Sequence, residues 1–367
     1  MSGRSGYESV LPVYASPRKT VSLYLAVKRF LYRLCKSLGL FRLSERLTRR
    51  GLRIICYHGF SLADESSFSG RTFIDPPTLE RRMAFLKRNG FRVMGLEEAL
   101  DLLARDAVPP RAVVITIDDG FDSVYSAARP VLERYGFPAT VYVTTYYVLE
   151  QNPVFNLALQ YLFWKTRASR LDLTGLGATW SGVRSIEREK EKRALLWELV
   201  RFGEERCDEA GRVRLARMLG ERLGVDYDAI ATSRILTMMT EAQIRDLSAA
   251  GIDVELHTHR HVFPLDRDRA VAEIRENRAA LEPLVGRPLV HFCYPAGIWA
   301  KEHWPYLAET AMASAVTSDR GLNFASTPRY GLKRFGDNEQ LSQIEFEADI
   351  YGFTELYRAV KRGLRFG

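Results

Sequence analysis

Two short runs carry the side chains whose types and spacing could do chemistry. The first is Asp118-Asp119-Gly120, which follows Val113-Val114-Ile115-Thr116-Ile117; the second is His257-Thr258-His259-Arg260-His261, which follows Ile252-Asp253-Val254-Glu255-Leu256. In each, an apolar or β-branched stretch reads as a buried strand that releases polar groups at its carboxyl end. Strand side chains alternate, so Asp118 and Asp119 part company unless the turn begins between them; one carboxylate can then bind a metal while the other stays free as a base. Three of the six histidines fall within the second run. His257 and His261 share a face if the chain turns helically there, and His257 and His259 share one if it stays extended. Either pair, with one carboxylate, makes a facial set for a divalent ion that leaves room for water and substrate. The competing readings are an Asp that caps the next helix and a solvent-facing polar turn.

Chemistry of this kind sits at strand ends, so the remaining chain has to supply strands and the helices that brace them. Arg53-Ile54-Ile55-Cys56-Tyr57-His58-Gly59 predicts a short buried strand ending in His58. Asp75-Pro76-Pro77-Thr78 opens an amphipathic helix that Gly90 closes, and strand–helix alternation then runs to a strand over 139–145. From about 150 to 235 it gives way to a charge-rich, mostly helical insertion, expected to form a lid or side wall. Alternation resumes at Ile252, and about seven strand–helix units in all predict parallel strands with helices outside, a number that suits an irregular or incompletely closed α/β barrel, with an open doubly wound sheet as the alternative. Residues 1–17 lack pattern and read as a mobile arm. Over 20–50, Leu23, Val27, Phe30, Leu31 and Leu34 recur at helical spacing with Lys28, Arg29, Arg33 and Lys36 between them. This basic amphipathic helix either packs on the domain with its charges solvated or anchors to an anionic membrane surface.

Charge is unevenly placed. The chain carries a net +8, yet residues 1–54 hold twelve Lys or Arg against two Glu, a net +10, so the other 313 residues sum to −2. Beyond residue 54 no basic stripe interleaved with aromatics and no finger or helix-turn-helix spacing occurs, which argues against nucleic acid as a partner. The four cysteines are scattered and form no CxxC pair, as expected of a reduced compartment. With no apolar run long enough to span a bilayer and no export signal, the expectation is a cytoplasmic protein, peripheral at the inner face of the membrane through residues 20–50.

The acidic and histidine runs together resemble the first two motifs of the NodB-like polysaccharide deacetylases, carbohydrate esterase family four, over residues 53–145 and 236–320. The resemblance implies a distorted (β/α)7 barrel over 53–345, an N-terminal arm and helix over 1–52, a C-terminal helix or tail over 346–367, and removal of N-acetyl groups from a sugar by a divalent metal. It implies Asp119, His257 and His261 as the metal ligands, Asp118 as the general base, Thr258 as support for the histidine loop, and a variable position at His259. The ion would be Zn, with Co, Ni or Mn acceptable to the same set. The third motif is less faithful: Phe292-Cys293-Tyr294-Pro295-Ala296-Gly297 keeps only the Pro-containing turn, so the Ala296 N–H would be the oxyanion donor. The base-orienting Arg is replaced by Cys293, with Arg334 as a possible substitute. No His follows His303, so the family's C-terminal acid is missing; Ile54-Ile55-Cys56-Tyr57-His58 resembles the branch in which a permuted barrel supplies that acid from its first strand, which makes it His58. Two alternatives remain: an amidohydrolase of small molecules on the same fold, and a degenerate barrel that binds glycan without turnover.

Overall fold

The structure, a computed structural model, describes residues 19–177, 180–361 and 363; the arm expected at 1–17 lies outside them. Two compact units are present, one formed by Met1–Thr145 with Glu241–Gly367 and the other by Tyr146–Thr240.

The first unit is built on a parallel sheet of eight strands: β1 (Arg53–Tyr57), β2 (Arg92–Val93), β3 (Ala112–Ile117), β4 (Thr140–Val143), β5 (Asp253–Leu256), β6 (His291–Cys293), β7 (Ser314–Val316) and β8 (Phe335–Gly336). Seven of them follow one path, β7-β6-β5-β4-β3-β1-β8, with β2 paired to the start of β3. A bridge from Val316 to Leu332, just before β8, joins the two ends of the path, so the sheet curls into the distorted barrel expected. Every residue of β1, β3 and β4 is buried, as parallel strands covered on both faces must be. Ile54, Val114, Tyr142, Cys293, Val316 and Leu332 belong to one buried cluster that also takes in Met94, Leu96 and Ala99.

Register brings the chemistry to one rim. Tyr57 pairs with Ile117, Ile117 with Val141, Val143 with Leu256, and Leu256 with Phe292. His58, Asp118, Thr144, His257 and Cys293 therefore leave adjacent carboxyl ends, although 235 positions separate the first from the last. β8 has only two residues and no periodic pattern, which is why it was not expected.

The second unit, 146–240 against the expected 150–235, is mostly helical. Helices Phe155–Lys165, Glu189–Arg206 and Glu209–Leu223 pack through Leu159, Leu162, Leu199, Leu215 and Leu219, beside an antiparallel hairpin of Arg170–Asp172 with Val183–Ser185. A Cβ at Gly203 would come within 2.2 Å of the Phe155 ring, so only glycine allows this close approach.

The N-terminal helix, Lys19–Ser37, packs on the helix Gln343–Ile350 through its polar face. Lys28 and Arg29 reach Glu345 at 2.8 and 3.0 Å, Lys36 pairs with Glu347, and Tyr32 meets the Phe353 ring. Burial raises the Glu345 carboxyl, but hydrogen bonds from Lys28, Ser342 and Arg29 outweigh it and hold the pKa at about 2. A depressed folded pKa contributes stability above the ordinary value of 4.5 that is lost as pH falls toward 2. Glu345→Gln is thus expected to loosen the helix at neutral pH by about 1 kcal/mol, roughly a fivefold faster tryptic cleavage after Arg29 and Arg33. Wild type should show the same loosening only on acidification through that window; equal cleavage of both proteins at neutral pH would refute the assignment.

Candidate active site

The carboxyl end of β3 parts the two aspartates. Asp119 takes φ 70° and Gly120 φ 89°, so the chain reverses immediately after Asp118 and the carboxylates point into different surroundings. A Cβ at Gly120 would press on Val143 at 3.1 Å as well as occupy a left-handed conformation, so glycine is required there.

Asp118 is buried and held by a two-pronged ion pair: Arg334 Nη1 donates to Oδ1 and Nη2 to Oδ2, both at 2.7 Å. The same guanidinium donates to Thr116 Oγ1, to the Thr317 carbonyl and to Cys293 Sγ. Burial raises the Asp118 pKa, but the Arg334 charge and hydrogen bonds outweigh it and keep the carboxyl well below its usual range. The cation missing from the third motif is therefore supplied from the segment before β8. Cys293 takes the motif position as a neutral side chain whose thiol pKa burial raises.

Asp119 faces the histidines. Its Oδ1 lies 3.2 Å from His257 Nε2 and 3.3 Å from His261 Nε2. His257 donates Nδ1–H to the Cys293 carbonyl at 2.8 Å, which orients the ring and turns Nε2 toward Asp119. Its backbone N–H donates to Asn277 Oδ1, while Asn277 Nδ2 donates to the Val143 carbonyl and Thr145 Oγ1. Asn277 ties the ends of β4 and β5 together, a role not foreseen from sequence. The available signal was a polar residue in the apolar register Ala270, Ile274, Asn277, Leu281 of the helix Arg267–Val285.

The histidine loop is neither helix nor strand. Left-handed turns at Thr258 (φ 65°) and His261 (φ 58°) bring His257 and His261 together, with ring centroids 4.9 Å apart. His259 is turned away onto Thr145 Oγ1 at 2.8 Å. Thr258 Oγ1 is buried with no hydrogen-bond partner among the described residues, so any support it gives comes through backbone shape. Arg260 pairs with Glu273 and Glu276 and braces the loop from outside.

His58 sits half-exposed on the same rim with Nε2 3.9 Å from Asp118 Oδ2. The next residue must be glycine, because a Cβ at Gly59 would come within 2.3 Å of the Phe73 ring. Ala296 lies in the turn after β6 at φ 53°, and a Cβ at Gly297 would overlap Ser318 Oγ at 1.9 Å.

Among the described residues, three groups of side chains have the proximity to hold a metal: Cys56 with His58 and Asp118, Asp118 with His257 and Cys293, and Asp119 with His257 and His261. The first two share Asp118, whose oxygens are already committed to Arg334, and each needs a thiolate that burial disfavours. The third offers two imidazole nitrogens and a carboxylate oxygen with access from solvent. Ligands about 2.1 Å from one ion are roughly 3.0–3.4 Å apart, and the separations at Asp119 Oδ1 fall in that range.

The profile of the polysaccharide deacetylases matches residues 105–189 and 223–315, which hold both aspartates, the histidine loop and Ala296. The chain belongs to the polysaccharide deacetylase family. The candidate polysaccharide deacetylase YxkH of Bacillus subtilis is 33% identical over 93 residues, 25% of this chain and 31% of that protein. A poly-beta-1,6-N-acetyl-D-glucosamine N-deacetylase of Staphylococcus aureus is 33% identical over 73 residues, 20% of this chain and 25% of that protein. These alignments thus span about a third or less of either relative. The structure of the Streptococcus pyogenes deacetylase PplD, solved with acetate, superposes with a TM-score of 0.54 at 16% identity, covering 82% of this chain and 98% of that one. This deacetylase barrel is thus a shared fold; His58 and Arg334 lie outside the residues matched by the family profile.

Proposed function

We propose that this chain is a metal-dependent hydrolase that removes N-acetyl groups from an amino sugar, as an oligosaccharide or polysaccharide. The observation that carries the reading is the convergence of Asp119, His257 and His261 beside a separate carboxylate, Asp118, held ionised by Arg334. The relative named for poly-N-acetylglucosamine supports the substrate class.

In this reading Asp119, His257 and His261 hold a divalent ion, most suitably Zn, with Co, Ni or Mn also accepted. Such an ion supplies Lewis acidity, polarising the acetamide carbonyl and acidifying water. Asp118 accepts the proton of the attacking water, and its fork-shaped bond to Arg334 fixes the direction of its free lone pairs. The Ala296 N–H donates to the oxyanion. His58, near Asp118 on the rim, protonates the departing amine, without which the C–N bond does not break at neutral pH. Acetate and a free amine result. A degenerate barrel loses its main support, because Arg334 and His58 offer the cation and the acid that its sequence lacks at the usual positions.

The test is acetate release from N-acetylglucosamine oligomers by metal-loaded protein. His58→Ala is expected to lower kcat for the amide by about a hundredfold or more. An aryl acetate, whose phenolate leaves unprotonated, should lose less than about tenfold. Equal losses on both substrates would remove His58 as the acid. No acetate from wild type that still binds one metal per chain would point instead to small amides.

A further inference from the structure

The N-terminal helix is mounted with its apolar side out. Its inward arc is polar or aromatic, with Lys28, Arg29, Tyr32 and Lys36 engaged on the domain. Leu23, Val27, Phe30, Leu31, Leu34 and Leu38 form the outward side and are each 44–70% exposed. At 100° per residue they fall within about 100° of arc, a continuous stripe about 22 Å long. The next helix, Leu40–Leu47, continues it: Leu43 and Leu47 face solvent while Phe41, Ser44 and Glu45 are buried. Tyr357 and Val360 on the adjoining helix Phe353–Lys361 are exposed as well. Water-facing helices bury such a stripe, and here the ion pairs to Glu345 and Glu347 hold it away from the domain.

Charge selects the occupant. Residues 19–44 contain no Asp or Glu, and Glu45, the acid that follows them, is committed to Arg111. Arg33, Arg42, Arg46 and Arg49 are exposed along the same two helices and the turn after them. Arg33 and Lys36 also line a groove with Ser37, Ser342 and Gln343, in which Lys36 is paired with Glu347. Apposing a second copy would set these arginines against one another with no acid to neutralise them. An anionic lipid surface meets both demands, acyl chains for the stripe and phosphates for the arginines.

We infer that the faces of Leu23–Leu38 and Leu40–Leu47 form a preassembled docking surface for an anionic membrane, into which the apolar stripe dips parallel to the lipid plane. No described helix is long and apolar enough to cross a membrane. The domain already satisfies the polar face of the first helix, so docking requires no refolding.

The test is co-sedimentation of the full chain with phosphatidylcholine vesicles with and without phosphatidylserine, at low and high salt. Phe30→Gln combined with Leu34→Gln alters only exposed side chains, and unchanged circular dichroism would verify its fold. Wild type is expected to bind the phosphatidylserine vesicles, more weakly at high salt, and the double variant to lose about tenfold or more in affinity. Three results would overturn the inference: no vesicle binding, binding that the double variant leaves unchanged, and self-association abolished by that variant in a protein that ignores vesicles.

Discussion

Asp119→Ala is expected to abolish metal uptake and acetate release together, whereas Asp118→Asn is expected to keep the ion and lose the reaction. Asp119 Oδ1 is the atom on which both histidine Nε2 groups converge, at 3.2 and 3.3 Å, so its removal leaves two neutral donors and no anion for a divalent cation. Asp118 is engaged by Arg334 at both oxygens, and the lone pairs left to it are those that take the water's proton. As base it is lost on conversion to an amide, and activity should fall about a thousandfold. Metal stoichiometry by elemental analysis, read beside acetate release, separates the two variants. An Asp118→Asn protein that binds no metal would show that the carboxylates were assigned the wrong way round.

Arg334→Met is expected to have the second-largest effect, in both stability and pH dependence. It leaves the Asp118 carboxylate buried without its partner, a change that costs about 3–5 kcal/mol where such pairs have been broken. With the pair intact, the folded pKa lies below the ordinary value, so its contribution is complete at neutral pH and fades as pH falls below about 4. Without Arg334, burial acts unopposed and raises Asp118, so the acidic limb of the pH–rate profile should move to higher pH. Arg334→Lys, which restores charge without the two-pronged geometry, should fall between. The double variant Asp118→Asn with Arg334→Met should recover part of the lost stability but none of the activity, with coupling read from urea unfolding. A single variant whose profile keeps the wild-type acidic limb would show that Arg334 does not set the charge of Asp118.

Asp118-Asp119-Gly120 and the histidine loop were legible because each is local. A buried strand, a turn and the polar residues between them lie within ten positions, and periodicity reports all three. The choice between His259 and His261 was not legible from spacing, since both assumed a regular continuation; left-handed turns at Thr258 and His261 made a third shape that placed His257 beside His261. The helix over 20–50 was predicted from its period, but the structure splits it into Lys19–Ser37 and Leu40–Leu47 at Gly39, which takes φ 78°, and the period cannot say which side meets the domain. Glu345 and Glu347, more than 300 positions away, turned its cations inward.

The sequence by itself determined which strand ends carry reactive groups, the α/β alternation, the helical insertion and the chemistry that Asp and His side chains offer. Only the tertiary structure decided that Arg334 grips Asp118 across 216 positions, that His58 stands on their rim, and that Asn277 ties two strand ends together. The physical reason is that a buried polar residue reveals in sequence only that it must be paired. Which partner satisfies it depends on strand register, and β8, which follows Arg334, is too short to leave a pattern of its own.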